Sequence, residues 1–536
     1  MANKDSQLME DCVSDDTKKL FEAIKRDHPS CEHPLDVDVT REISKLNKEI
    51  KNADEYAIFR HPSETDALWR LLLEKAIKCL RYFDKREPFL NNKQKKPQVY
   101  GIDELYKYYQ EYKEYERLLY GSSQYYRDHV VHVLRTWLFG IRCLVRNDGG
   151  YLSEIEIHEE PNVDLNAVEK ISIWTIIALT HDLGYPLEKA REIIDKTREM
   201  VKTFVTNPDI TMDLSFHGVQ NNMNDFTVKL MSSKMRKVEC STDVGAAEQS
   251  KYVARLQPKY YYKFLKSLGE TKHGIISTLI IYKILTYFLE SDYSINEHYF
   301  FGKEDRRQFY IRREILRAIA SHTCTDIYHL YMCSFAFLLI ISDDMQEWGR
   351  KYISELYIPT TIKHNFSDIL LTISKNAKST KGTKGTNSPH KCELKERVSV
   401  KTNDGWKAVV AVLSRLHEQA LVYVTIFRDG QETSNRDFVF IRKVFVKYDT
   451  YESVKFDMTL KISNQEASTF SGKITYSSNK TKNRLFGKDF FEELKQRTGS
   501  IVTWEVFGDS KNVILSPDYD NVGQWRTGKL GIELTA

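Results

Sequence analysis

Eight side chains suited to holding a metal ion stand at or near the ends of apolar runs. His129 and His132 lie in YRDHVVHVLRTW, three residues apart and so on one face of a helix. His181 and Asp182 close the run in IIALTHDLGYP, His273 opens HGIISTLIIYKIL, and His322 closes ILRAIASHTC. Asp343 and Asp344 follow FAFLLIIS. A carboxylate at the end of a greasy helix loses much hydration, so a cation must meet it. A basic side chain can do this. A metal ion can as well, and it would also use the imidazole next door. Imidazole with carboxylate suits Mn, Fe, Co, Ni or Zn better than Ca. One His-Asp pair is usually a cap or a satisfied core group. The recurrence of such groups across several helical segments points to a metal.

The elements that must position these groups are helices. From about 125 to 360 the apolar spacing is helical almost throughout and strand-type alternation is absent, which predicts an all-α bundle. Gly184 and Pro186 are expected to stop the helix that ends in the His-Asp pair. Residues 1–120 read as a charged helical region packing on the bundle. The tyrosines of DELYKYYQEYKEYERLLYG are expected to pack their rings and offer hydroxyls to water, because no basic stripe accompanies them for stacking nucleic acid. The polar stretch SKNAKSTKGTKGTNSPHK, 374–391, reads as a linker or long loop. Beyond it the texture changes: SVKFDMTLKIS alternates apolar and polar residues as a half-buried strand does. ALVYVTIFRDG, DFVFIRKVFVKY, FSGKITYSS and SIVTWEVFG are further strand candidates, interrupted by helical patterns near 405–419 and 489–497. The division is 1–120 N-terminal helical region, 121–365 metal-binding helical domain, 366–395 linker, and 396–536 a smaller α+β domain. That last domain shows no catalytic constellation. Sensing, substrate presentation and oligomerisation are all open to it.

The order H…HD…D on a helical bundle resembles the HD superfamily of metal-dependent phosphohydrolases, over about residues 125–350. The matching residues are His132, then His181 and Asp182, then Asp343. His129 is the alternative to His132, and Asp344 to Asp343. Members with two metals place two further histidines between the HD pair and the last aspartate, where His273 and His322 fall. The resemblance implies one or two divalent transition ions, with Asp182 as a bridging group, and a metal-activated water attacking a phosphoester. His129 would be an extra ligand, an acid for the leaving group, or a neighbour of the site. Arg127, Lys189 and Arg191 flank the ligands in sequence and are candidate phosphate contacts. Tyr185 stands where some members carry a lysine, and Gly-Tyr-Pro directly follows the His-Asp pair, so subfamily and substrate stay open. The expected substrate is a small phosphoester, most simply a nucleotide or cyclic nucleotide. A nuclease acting on single strands, a di-iron oxygenase using the same six ligands, and an inactive scaffold that binds nucleotide or a partner are the alternatives.

The bulk numbers fit this reading. The chain has 536 residues, enough for roughly two to four domains. Lys and Arg number 79 against 75 Asp and Glu, so the net charge of +4 neither demands nor excludes nucleic acid. The eight cysteines form no CxxC pair, so neither a zinc ribbon nor a redox motif is suggested. The N-terminus lacks the apolar core of a signal peptide, and runs such as FAFLLII fall short of the ~20 residues a membrane span needs. A reducing, cytoplasmic location without membrane attachment is expected. Oligomeric state is not legible.

Overall fold

The structure, a computed structural model, describes residues 3–350 except 55, 85–98, 123–127, 146–151, 158–162, 205–218, 239–250, 291–294, 296–299, 325–332 and 347; beyond 350 it describes the backbone of eight strands. The chain divides into two units. One comprises 1–145, 155–327 and 334–353; the other comprises 146–154, 328–333 and 354–536.

The first unit is helical. Its helices are α1 (Lys4–Cys12), α2 (Asp15–Asp27), α3 (Val37–Ile50), α4 (Pro62–Tyr82), α5 (Ile102–Ser122), α6 (Val130–Val145) and α7 (Ala167–Thr180), followed by α8 (Tyr185–Val201), α9 (Val219–Met231), α10 (Pro258–Gly269), α11 (His273–Ile284), α12 (Thr286–Leu289), α13 (Lys303–Ser321) and α14 (Phe335–Met345). Their starts are chemically marked. Asn3, Ser14, Asp36, Asn166 and Ser334 each accept a backbone N–H at a helix entry, and Asn166 with Glu169 closes a full capping box on α7.

Helix α7 is the axis of the unit. Every residue from Ile171 to Thr180 is buried, and it packs against α4, α6, α13 and α14. Three tryptophans lock this core. Trp137 donates to Thr175 Oγ1 at 2.9 Å, Trp174 to the Trp137 carbonyl at 3.2 Å, and Trp69 to the Leu179 carbonyl at 3.0 Å. At Gly140 a Cβ would lie 2.0 Å from the Trp174 ring, so α6 and α7 approach this closely only because the residue is glycine. Among the described residues no helix is long and apolar enough to cross a membrane.

Two expectations for this unit need correction. Gly184 and Pro186 do not stop α7, which ends at Thr180 with His181 as its cap; they open α8, whose first turn accepts a proline because its N–H would be orphaned anyway. The bundle is also not purely helical. Strands β1 (Ser233–Val238) and β2 (Lys251–Leu256) pair antiparallel, Ser233 opposite Leu256 and Val238 opposite Lys251. They escape pattern reading because each is only six residues long and its charges, at 234, 236 and 237 and at 251 and 255, leave almost no apolar period.

The second unit carries one sheet. Its strands are β3 (Thr361–Ser374), β4 (His390–Lys401), β5 (Phe438–Lys447), β6 (Glu452–Ile462), β7 (Thr469–Ser478), β8 (Thr503–Val506), β9 (Asn512–Ser516) and β10 (Leu530–Thr535), in the order β3-β4-β5-β6-β7-β10-β9-β8. Pairs β4–β5 and β7–β10 are parallel and the others antiparallel. Strands read from SVKFDMTLKIS, DFVFIRKVFVKY, FSGKITYSS and SIVTWEVFG are present as β6, β5, β7 and β8. The stretch ALVYVTIFRDG and the helical patterns at 405–419 and 489–497 lie outside the described residues. The boundary differs from the reading at 366–395: 366–374 and 390–395 are strand, and 375–389 lies outside the described residues. Strand β3 was hidden by a parity change. Its apolar residues fall on even numbers at Ile362 and on odd numbers at Ile369, Leu371 and Ile373, and the β3–β4 register shifts between Asn365 and Leu370.

Candidate metal centre

The site is built from the ends of five helices. At the start of α6 two carboxylates satisfy the backbone N–H groups a helix leaves unpaired. Glu116 Oε1 accepts from His129 N at 2.7 Å and Val130 N at 3.2 Å. Asp128 accepts from Val131 N at 3.1 Å and His132 N at 3.0 Å. His132 is thereby fixed one turn into a fully buried stretch.

Four imidazoles then repeat one pattern: Nδ1 faces an oxygen acceptor, and Nε2 faces acid. His132 Nδ1 is bonded to Gln346 Oε1, and Gln346 Nε2 donates to the Trp348 carbonyl at 2.8 Å, which fixes the amide so that its oxygen faces the ring. His181 Nδ1 donates to the Ala178 carbonyl at 2.9 Å, and His322 Nδ1 to the Ile319 carbonyl at 2.5 Å. His273 Nδ1 lies 2.6 Å from Glu188 Oε2, which also accepts from the His273 backbone N at 2.7 Å. A ring that carries its only proton on Nδ1 presents the Nε2 lone pair. His132 Nε2 is 2.7 Å from Asp343 Oδ1 and 3.9 Å from Asp182 Oδ2. His181 Nε2 is 3.5 Å from Asp182 Oδ1 and 3.9 Å from Asp343 Oδ1. His273 and His322 bring their Nε2 atoms 3.3 and 3.6 Å from Asp182 Oδ1, and these two nitrogens are 3.2 Å apart.

Lone pairs aimed at carboxylates repel unless a proton or a metal ion stands between them. Among the described residues two sets could hold such an ion: His132, His181 and Asp343, and His181, Asp182 and His322. In each, the ligand atoms lie within 4.8 Å of one another. His181 belongs to both sets, and its Nε2 is buried without a hydrogen-bond partner. The donor chemistry therefore fits a divalent transition ion: imidazole nitrogens with hydrogen-bonded rear atoms, and carboxylate oxygens in front.

The electrostatics agree. Burial drives His181 down to about 4, against the pull of Asp182 and Asp343, so it is neutral and its nitrogen is available at neutral pH. Burial would raise Asp182, but His181, His273 and His322 hold it well below the usual carboxylate range. Asp343 is held low in the same way, by His132 and His181. His273 is the exception. Burial lowers it, yet the carboxylates of Asp182 and Glu188 outweigh burial and hold it up at about 9. In the metal-free site it keeps a proton where a ligand bond would form.

The turn carrying the His-Asp pair is clamped to α11. Gly184 N donates to Ser277 Oγ at 2.8 Å, and that hydroxyl donates to the His181 carbonyl at 2.7 Å. A Cβ on Gly184 would lie 2.3 Å from the His273 carbonyl oxygen, so glycine permits the contact that brings His273 to Asp182. Tyr108 of α5 donates to the Leu183 carbonyl at 2.7 Å and closes the turn from the other side.

His132, His181, Asp182, His273, His322 and Asp343 thus converge. His129 lies beside them: its ring centroid is 6.2 Å from that of His132 and 3.6 Å from that of Tyr185, and Arg350 Nη2 donates to its Nδ1 at 3.3 Å. Burial and Arg350 push His129 well below its ordinary value although Asp182 pulls the other way, which favours a neutral ring. Lys189 pairs with Glu192 at 2.8 Å, its ammonium 5.2 Å from the Tyr185 ring centroid. Arg191 donates to the Gly269 carbonyl at 3.0 Å and to Thr271 Oγ1 at 2.9 Å, joining α8 to the turn before α11. Arg127 lies outside the described residues. Glu188 and Gln346 orient ligands but were not read from the sequence. Gln346 had a signal, three residues after Asp343; Glu188 is recruited only by tertiary packing.

Comparison of the chain with protein-family models, with curated proteins and with solved structures gave no match.

Proposed function

We propose that the chain is a metal-dependent phosphohydrolase of the HD type, acting on a phosphoester such as a nucleotide or cyclic nucleotide. The observation that carries this reading is the buried, unpartnered Nε2 of His181 set between the carboxylates of Asp182 and Asp343. Leaving such a nitrogen unsatisfied costs about 1–3 kcal/mol, which a coordinated cation repays. His132, His181 and Asp343 would hold one ion; Asp182, with His273 and His322, would hold a second or complete the first. When bound, a divalent ion there lowers the pKa of a coordinated water towards 7 and polarises a phosphoryl oxygen.

The remaining work falls to the chain. Gln346, Glu188 and the carbonyls of Ala178 and Ile319 fix the four rings in one tautomer. Asp182 and Asp343 supply the negative charge that draws a cation in. His129 and Tyr185, whose rings meet at a tilt next to the candidate ligands, offer a polar wall for substrate oxygens. The neutral His129 ring, accepting at Nδ1 from Arg350, keeps its proton on Nε2 as a hydrogen-bond donor.

The test is release of phosphate or nucleotide from a mixed panel of nucleotides, cyclic nucleotides and a generic aryl phosphodiester, with and without chelator. Turnover that is lost with chelator, restored by Mn, Fe, Co, Ni or Zn, and absent from Asp182→Ala is expected. Turnover unaffected by chelation and by Asp182→Ala would overturn the reading. Oxygen uptake with bound iron in place of phosphoester cleavage would replace it with an oxygenase.

A further inference from the structure

The charge of this chain is not evenly spread. Residues 233–269 hold eight Lys and Arg against three Asp and Glu, and all three acids fall within 239–250. The whole chain of 536 residues nets only +4, so the rest of it is close to neutral. The described part of this segment is the β1–β2 hairpin and α10, with Gln257 alone between them.

On the hairpin, Lys234 and Arg236 are exposed and alternate with buried Met235. Lys234 stands directly opposite Arg255 across the ladder, and Arg255 is exposed too. Like charges facing each other across a strand pair destabilise it. Lys237 is exposed as well, and its cross-strand neighbour Tyr252 carries the Arg306 guanidinium 4.1 Å from its ring centroid. On α10, Tyr262 is 74% exposed, the second highest value among the large hydrophobic side chains of the described residues. Lys259 and Lys266, both exposed, stand three residues before it and four after it, so the three share one helical face.

We infer that the β1–β2 hairpin and α10 form a docking surface for single-stranded nucleic acid. Cations at strand and helix spacing match a phosphate backbone. An exposed aromatic between two of them is the stacking element that unpaired bases use and that a duplex or a lipid surface cannot reach in the same way. None of the side chains named on this surface belongs to the candidate ligand set, so binding is proposed here and cleavage is not.

The experiment is fluorescence anisotropy of the full chain with a labelled single-stranded 20-mer of dT or U, from 50 to 200 mM salt. Contact with about five phosphates gives a slope of about −3.5 in log K against log[salt], a loss of about a hundredfold over that range. The triple variant K234E/R236E/K237E is expected to lower affinity at least tenfold at 50 mM salt and to flatten the slope by about 2. Tyr262→Ala is expected to cost about fivefold or more with the slope unchanged. Asp182→Ala is expected to bind the strand like the parent chain. Circular dichroism and metal content, unchanged in the surface variants, show that they fold. The inference is overturned by absence of binding at 50 mM salt, by full binding in the triple variant, or by preference for a duplex or for phosphatidylserine vesicles. It is also overturned if Asp182→Ala abolishes binding, which would move the strand to the metal centre and leave the hydrolase reading intact.

Discussion

Replacing Asp5 by alanine is expected to weaken the helical unit severely, although the residue is far from the metal ligands in sequence. Asp5 in α1 is fully buried, as is the Arg135 side chain it faces. Arg135 Nε donates to Asp5 Oδ1 at 3.1 Å and Nη2 to Oδ2 at 2.9 Å. Trp348 Nε1 donates to Oδ1 at 2.6 Å, and Arg135 Nη1 reaches the Trp348 carbonyl at 3.3 Å. Gly349, at φ +66°, leaves room for the guanidinium; a Cβ there would lie 2.4 Å from Nη1. Removing one partner of a buried ion pair costs about 3–5 kcal/mol because the other charge stays in the core. The tryptophan N–H adds to that, though not additively, since both donors share one carboxylate. A loss of about 4 kcal/mol out of a typical 5–15 is expected, with Asp5→Asn losing less because it keeps an acceptor. Urea unfolding followed by circular dichroism at 222 nm reads it directly. The network also touches function: Arg135 is one turn from His132, and Trp348 accepts from Gln346, which orients the His132 ring. Metal affinity should therefore fall in the variant under conditions where it is still folded. A loss below about 1 kcal/mol, within the range of surface changes, would show that this buried pair does not hold α1, α6 and the segment after α14 together.

Three further outcomes follow from the site. Glu188→Gln, which keeps the shape but weakens the acceptor behind His273, is expected to lower metal affinity about tenfold to a hundredfold with little change in folding, measured by competition with a chromogenic chelator. Gly184→Ala puts a Cβ 2.3 Å from the His273 carbonyl oxygen and 2.8 Å from Ser277 N, both backbone atoms, so α8 and α11 must part. It is expected to cost about 1–3 kcal/mol in urea unfolding and to lower metal occupancy as well. His273 is held up at about 9 against an ordinary 6.5, so its protonated form stabilises the metal-free fold fully below 6.5 and that contribution is lost as pH rises through 9. A metal ion must displace this proton, so apparent affinity should rise with pH up to about 9, and binding at pH 7.5 should release on the order of one proton, measured by calorimetry in two buffers of different ionisation enthalpy.

What the sequence disclosed was the set of candidate ligands, and the reason is local. His132, His181, Asp182, His273, His322 and Asp343 interrupt or end apolar helical runs, where a polar group is conspicuous. The groups that orient them are invisible for the opposite reason. Glu188 sits in a charged helix in which a glutamate is unremarked, and only the clamp through Gly184 and Ser277 brings it to His273. Asp5 looks like one more acid near the start of a polar helix; it becomes a core residue because Arg135, fully buried in α6, needs a counterion. The helices of the bundle were legible from their 3.6-residue period, whereas β1 and β2 were too short and too charged to show a period of two. In the second unit β6 and β7 alternate and β5 is a short run rich in Val, Phe and Ile, so all three were legible, while β3 was not, because its alternation changes parity where its register with β4 shifts.

On the proposed function, residues far apart along the chain meet to bind a metal ion. Titration of the chelator-stripped protein with Mn, Fe, Co, Ni and Zn, read by elemental analysis after gel filtration and repeated on Asp182→Ala and His181→Ala, addresses it most directly. One to two equivalents of at least one of these ions retained by the parent chain, and lost in both variants while their circular dichroism is unchanged, is the expected result. A parent chain that retains no ion, or variants that retain it fully, would contradict the claim.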